Sequence, residues 1–212
     1  MPKETLTPAE AKAMLHRVAD AIIEAEPLLS QADRDLGDGD HGLGMARGMR
    51  AAKEALDAED FAGVDKVFAA VGSAMMSSMG GASGVVFGSM FKAGGKAMKG
   101  EENLTSAGIA ATLSAAAEVI QKRGGAKAGD KTMLDALIPA GDKAAEVSGQ
   151  PLHTAVAAIA DAAEAGKDAS KPMIATMGRA KTLGERSIGF PDAGAISVAI
   201  ILRTMSDYLS SD

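Results

Sequence analysis

Gly37-Asp-Gly-Asp-His-Gly42 has the spacing G-x-G-x-x-G. On a Rossmann fold that spacing joins a strand to a helix, and an acidic residue follows about 20 positions later. Here an amphipathic helix precedes it. Thr7-Pro8-Ala9-Glu10 is a capping box with proline at the first helical position. Behind it Met14, Leu15, Val18 and Ile22 recur at helical spacing, with Lys12, Arg17, Asp20 and Glu24 off that face. This helix is expected to run to about Glu26, because Pro27 disfavours its continuation. The loop also carries two aspartates where a pyrophosphate would sit. The dinucleotide reading fails, and the strand–turn–helix fold fails with it.

Outward from this loop the pattern stays helical. Blocks are expected over Met45–Leu56, Phe61–Met79, Val85–Met98, Ser106–Lys122, Thr132–Val147, Leu152–Ala165 and Ala195–Leu209, with a kink at Pro139. No Val/Ile/Thr/Tyr alternation persists over a strand's length. Hydrophobic residues make up 47% and aromatics 3% of the 212 residues, a composition suited to closely packed helices. The expectation is an all-α fold in one domain over 1–212.

Charge and cysteine content exclude several functions. Net charge is −6, there is no Lys/Arg block and no Trp, and Tyr208 stands alone, so a nucleic-acid partner is not expected. The absence of cysteine rules out disulfides and thiolate chemistry and fits a reducing cytoplasm. The polar N-terminus does not read as a signal peptide, and no run of about 18 apolar residues suggests a membrane span. An acidic chain that binds an anion must neutralise it locally, through a metal or through helix N-termini.

The glycines cluster in the loops between helices. In an up-and-down array alternate loops share one end, so these loops can build one site. In the first, Asp33, Asp38 and Asp40 converge, with Asp35 between them. Clustered carboxylates repel unless a cation joins them, and hard oxygen donors suit Mg²⁺ or Ca²⁺. The EF-hand pattern is absent. The plainer alternative is a solvated turn whose aspartates cap a helix starting near Leu43. His41 reads equally as a hydrogen-bonded surface residue, and His16 and His153 as ordinary helix residues.

The second loop, Gly80-Gly-Ala-Ser-Gly84, opens a helix and offers amides and a hydroxyl to an anion, unless Ser83 is simply its cap. The third, Gly129-Asp-Lys-Thr-Met133, opens another, with Thr132 or Asp130 as cap. Met133 either packs on a flat apolar group or joins the core. The stretch Gly166 to Gly189 is polar and irregular and reads as a lid. Its end, with the turn to Gly194, holds Arg179, Lys181 and Arg186, suited to phosphate charge or to pairing with Glu185. Metal ligands, an anion-binding helix start and a basic arm are the parts of phosphoryl transfer. No Walker A, H-R-D or D-F-G motif is present.

These four motifs, in order over nearly the whole chain, resemble the L subunit of dihydroxyacetone kinases. The resemblance implies eight antiparallel helices in a closed, barrel-like bundle with the nucleotide at one end. It implies two Mg²⁺ ions on Asp33, Asp38 and Asp40, bridging the phosphates of ADP or ATP. His41, Gly42, Leu43, Gly44, Ala82 and Ser83 would line the phosphates. Gly124 and Met133 would lie at the base or ribose, and Asp192, Ala193 and Gly194 would close over the nucleotide with Arg179, which would serve catalysis.

By the same resemblance, a separate K subunit holds the ketose on its own histidine, and the chain is active only with it. Phosphate would come from ATP or, through retained ADP, from a phosphohistidine protein of the sugar phosphotransferase system. A free L chain fits the relay branch, but two-chain ATP-using kinases also exist. The sugar, dihydroxyacetone or a tetrulose, is left open, as is a homodimer. Phe190-Pro-Asp-Ala replaces a frequent His-Pro/Gln-Asp-Pro. Competing readings are a regulatory protein and a lipid-binding helical protein of the same fold.

Overall fold

The structure, a computed structural model, describes residues 3–211. Among them are nine α-helices and one 3₁₀ helix, and the sole β-type pairing is an isolated bridge between Leu6 and Leu104. The helices are α1 (Pro8–Glu24), α2 (Glu26–Leu36), α3 (His41–Asp57), α4 (Val64–Ser78), α5 (Gly81–Ala97), α6 (Ser106–Gly124), α7 (Leu134–Val147), α8 (Leu152–Ala169) and α9 (Ala193–Ser210). Leaving α2 aside, each packs on the next, and α9 returns to α1. This closes the expected ring of eight. Short connections force neighbours to run oppositely. Thus α3, α5, α7 and α9 begin at the same end, where α4, α6 and α8 finish.

The element that sequence reading missed is α2, which packs on α3 and α9 outside the ring order. Pro27 does stop α1, but it also occupies the first turn of α2, where no backbone donor is needed. Helices α3 and α5 start four residues before the expected Met45 and Val85. Their first turns carry exposed Leu43, Gly81 and Ala82, so apolar periodicity could not mark them. The lid expectation needs the same correction. Helix α8 runs through Ala169, and a 3₁₀ helix spans Ala180–Ser187. Helix α7 runs across Pro139 as one element.

Methionine and small aliphatics fill the ring. Met14, Met45 and Met75 are fully buried, and the Phe68 and Phe91 rings meet at 6.2 Å. Unbranched thioethers suit the irregular gaps between helices of differing tilt. Helix α5 lies especially close to α4. A Cβ on Gly88 would sit 2.1 Å from Met76 Cγ and 2.8 Å from the Gly72 carbonyl oxygen. Gly88→Ala should therefore push the two helices apart and cost about 1–3 kcal/mol. Urea denaturation would read this as a lower midpoint at unchanged slope.

Candidate functional site

Asp33 lies in the last turn of α2, and Asp38 and Asp40 in the short loop to α3. Carboxylate oxygens from the three all fall within 4.8 Å of one another. The loop reverses tightly because the Gly37 amide returns to the Asp33 carbonyl, and because Asp33 Oδ2 accepts the His41 amide at 3.2 Å. The capping alternative holds for Asp33, which accepts the amide of the first residue of α3, and not for Asp40. Asp40 precedes α3, yet its side chain accepts no capping hydrogen bond. The sole cation in ion contact with the cluster, among the described residues, is Arg179, whose Nη1 lies 2.5 Å from Asp38 Oδ2. One exposed guanidinium does not neutralise three carboxylates. Their hard oxygens fit a divalent cation such as Mg²⁺.

The cluster sits in a cleft of about 710 Å³ at the ring end where four helices begin. Its wall at α5 is a turn through Gly80 and Gly81, with φ of 70° and 63° and open space where side chains would stand. Ser83 is not the cap, since α5 has no side-chain cap. The first amides of α5 therefore remain available to an anion. Arg47, which sequence reading missed, supports this turn from α3. Its Nε donates to the Ser78 carbonyl at 2.8 Å, and its Nη2 to the Met79 carbonyl.

Lys131, also missed, organises the opposite wall. It is 2% exposed and is the one non-glycine residue described with positive φ, 59°. Its Nζ donates to the carbonyls of Ser170 (2.7 Å), Lys171 (3.1 Å) and Met173 (3.0 Å). Burial lowers the lysine's pKa from its ordinary value. Nearby, buried Asp135 accepts the amides of Gly129 at 2.6 Å and Thr132 at 2.7 Å. Thr132 Oγ1 in turn accepts the Leu134 amide at 3.2 Å, whereas Asp130 bonds Thr176. The lid is tied to the same frame, with Gly189 N–H on the Lys171 carbonyl and the Ala175 amide on Ser187 Oγ.

His41 is buried rather than at the surface. Its Nε2 lies 2.8 Å from Ser197 Oγ, and its ring lies 5.8 Å from that of Phe87. Burial lowers its pKa, against the pull of Asp33 and Asp40. Asp192 caps α9, with Oδ2 accepting the Ala195 amide at 2.8 Å. Burial foremost, with Asp135 adding to it, pushes its carboxyl up to about 7, against the Ala195 and Gly194 amides and Lys131. Between the ordinary carboxylate range and pH 7 the folded chain holds this proton and the unfolded chain does not. Stability from this group is therefore full at low pH and lost as pH rises through 7. Asp192→Asn keeps the cap and removes the charge. It should raise Tm by a few degrees at pH 8 and leave it unchanged at pH 4, in thermal melts at both pH values.

Of the residues named from sequence, Asp33, Asp38, Asp40, His41, Leu43, Gly44, Ala82, Ser83, Arg179, Asp192 and Ala193 line this cleft. Four stand back from it. Gly42 abuts Ser30 of α2, Met133 is buried at 6% exposure, and Gly194 packs on Met133. Gly124 ends α6 in the open. Lys181 and Arg186 are exposed and lie off the cleft lining. Arg179 pairs with Asp38 rather than with Glu185.

A profile of the DAK2 domain matches residues 35–207. D-erythrulose kinase of Mycolicibacterium smegmatis is 38% identical over 197 residues, which are 91% of this chain and 34% of that protein. The ADP-binding subunit DhaL of PEP-dependent dihydroxyacetone kinase 1 of Listeria innocua is 38% identical over 191 residues, covering 90% of this chain and 91% of the subunit. The chain therefore spans about a third of the first relative and nearly all of the second. The crystal structure of the dihydroxyacetone kinase from C. freundii in complex with AMP-PNP and Mg²⁺ superposes with a TM-score of 0.72 at 26% identity, over 98% of this chain and 34% of that one. With most of its length matched by the domain profile and by an ADP-binding subunit, the chain belongs to the DAK2-domain family and is of the DhaL type.

Proposed function

We propose that the chain is the nucleotide-binding subunit of a dihydroxyacetone or related small-ketose kinase. It would pass the terminal phosphate of a bound nucleotide to a ketose held on a separate K subunit, in the cytoplasm. The observation that carries this reading is the carboxylate cluster, with Arg179 paired to Asp38, in a cleft ringed by helix N-termini. Asp33, Asp38 and Asp40 would hold Mg²⁺, taken as two ions from the family resemblance, and the metal would supply charge to neutralise phosphate oxygens. The amides at Ala82 and Ser83 orient phosphate oxygens, and Arg179 covers the charge that develops on transfer. Lys131 and Asp192 hold the lid that excludes water.

The ketose is assigned to the partner from the family resemblance, and the three histidines here are all engaged within the chain. His41 is buried against Ser197, His16 pairs with Asp57, and His153 bonds the Lys3 carbonyl. The large apolar side chains that are exposed include Leu43, Ile174, Ile188 and Phe190, at the cleft's own end of the ring. Such a rim suits a covering protein surface. The lipid-binding alternative has little room. The apolar space inside the ring, lined by Phe68, Phe91 and Leu202, holds about 30 Å³, the share of one water.

The phosphate donor is either a phosphohistidine protein acting through retained ADP, or ATP itself. The test is to purify the protein without added nucleotide, denature it in acid and resolve the supernatant by anion exchange. Stoichiometric ADP establishes the relay. An empty protein that takes up Mg–ATP establishes direct use of ATP. An empty protein that binds neither overturns the proposal.

A further inference from the structure

A second concavity lies outside the cleft and shares no residue with it. This groove of about 830 Å³ runs along the outer face of α4, α5 and α6. The glycine contact described above draws α5 in against α4, so the small residues of α5 become part of a floor between two flanking helices. Ala69, Ser89, Ala93, Gly95 and Ala115 line it. Ser89 is 5% exposed, and its hydroxyl has no hydrogen-bond partner.

The groove's charge runs against that of the chain. Lys66, Lys92, Lys96, Lys99, Lys122 and Arg123 line it, and all are exposed. The two acids are already engaged, Asp65 at 3.6 Å from Lys66 and Glu118 at 2.5 Å from Lys122. Six cations less two acids give +4 here, so a chain of net −6 carries −10 elsewhere. Lys92, Lys96, Lys99 and Arg123 form no ion pair among the described residues. Lys92 and Lys96 are one helical turn apart on α5, so their like charges repel, and Lys99 follows in the turn after the helix ends. The C-terminal ends of α5 and α6 favour Lys96, Lys122 and Arg123 in their last turns, but Lys92 stands before that turn and Lys66 lies in the first turn of α4, where a cation is disfavoured.

We propose that this groove docks an acidic amphipathic helix of a partner protein. From Ser89 to its end at Ala97, α5 covers about 12 Å, just over two helical turns. An alanine and glycine floor lets a second helix approach closely, and cations on both sides meet acids flanking its apolar stripe. The lysine stems extend the apolar wall while their ammonium groups reach water. The groove is open along its length, so a small anion bound there would leave most of its surface in solvent. This inference does not depend on the nucleotide reading.

The test uses the ¹⁵N-labelled full chain and three probes. One is a synthetic helix of about 18 residues built from Ala, Leu and Glu, the second is the same peptide with Gln for Glu, and the third is inorganic tripolyphosphate. The acidic peptide should shift the amides of Ser89–Lys99 and Ala115–Arg123, with an affinity that weakens as salt rises. Lys92→Glu with Lys96→Glu should weaken it about tenfold or more and leave Mg–ADP binding unchanged. If that double variant fails to fold, Lys96→Gln should still weaken it, by about threefold. Equal shifts from the Gln peptide, shifts scattered over the surface, or unchanged affinity in the variants would overturn the proposal. So would tighter binding of tripolyphosphate at the same amides, which would make this a small-polyanion site.

Discussion

Replacing Asp40 with Asn should severely weaken magnesium-dependent nucleotide binding and leave the chain as stable as before, or more stable, in magnesium-free buffer. The two halves of this result have one cause. Carboxylate oxygens of Asp33, Asp38 and Asp40 within 4.8 Å of one another repel by about 1 kcal/mol per pair at the dielectric of water. Without a cation this repulsion opposes folding, so removing one charge relieves it. With a cation the same charge is a hard ligand that an amide oxygen replaces poorly. Losing it should weaken Mg–ADP by about 100-fold or more, near 3 kcal/mol. Calorimetry with ADP, with and without Mg²⁺, reads the first half, and thermal melts in chelator read the second. The alternative that Asp40 merely caps α3 predicts no change in binding, since Asn caps as well as Asp. Wild-type affinity in the variant, or a clear fall in Tm, would defeat the metal reading. The loss should be matched by Asp38→Asn, although that change also frees Arg179.

How far sequence alone reached depended on the span of each interaction. The Thr7 capping box is local, and it forms as expected: the Glu10 amide donates to Thr7 Oγ1 at 3.3 Å, and the Thr7 amide to Glu10 Oε2 at 2.9 Å. The acidic cluster was legible because all its members lie within eight positions of one loop. Helix α2 was hidden because proline stops one helix and starts another by the same fixed φ and missing donor. Arg47 and Lys131 were hidden for a different reason. Their partners are backbone carbonyls, 31 positions from Arg47 at Ser78 and 39 from Lys131 at Ser170. Any residue type supplies a carbonyl, so no composition or spacing marks such a contact. It exists only once the ring closes and brings the helix ends together. His41 illustrates the converse, since its loop stood out in the sequence and its burial did not. The ring that covers it includes Ser197 and Phe87, far along the chain.

Lys131→Met should lower stability by about 2–3 kcal/mol and loosen the segment from Ser170 to Gly189. The ammonium donates to three carbonyls that belong to the end of α8 and the strap after it. Hydrogen bonds from a charged donor contribute about 1.5–3 kcal/mol each. Part of that is offset, because methionine spares the cost of burying a charge. The Lys171 carbonyl also keeps its bond from the Gly189 amide and the Ser170 carbonyl its bond from the Met173 amide, so only the Met173 carbonyl loses its sole donor among those described. The backbone adds a second term. At φ 59° a lysine bears roughly 1 kcal/mol of strain that its tether sustains. Lys131→Gly relieves that strain but empties the buried side-chain volume that methionine fills, so in urea melts it should cost more than Lys131→Met. In hydrogen exchange, protection should fall over the strap and the 3₁₀ helix and stay unchanged in α3 and α4. Arg179 and Asp192 ride on that region, one at its centre and one bonded through its amide to Ser170 Oγ at 3.2 Å. Nucleotide affinity should fall with protection, even though Lys131 spends its own donors on the protein. Wild-type melting and wild-type exchange in Lys131→Met would show that the lid is held by its other contacts, those of Thr176 with Asp130 and of Ser187 with Ala175.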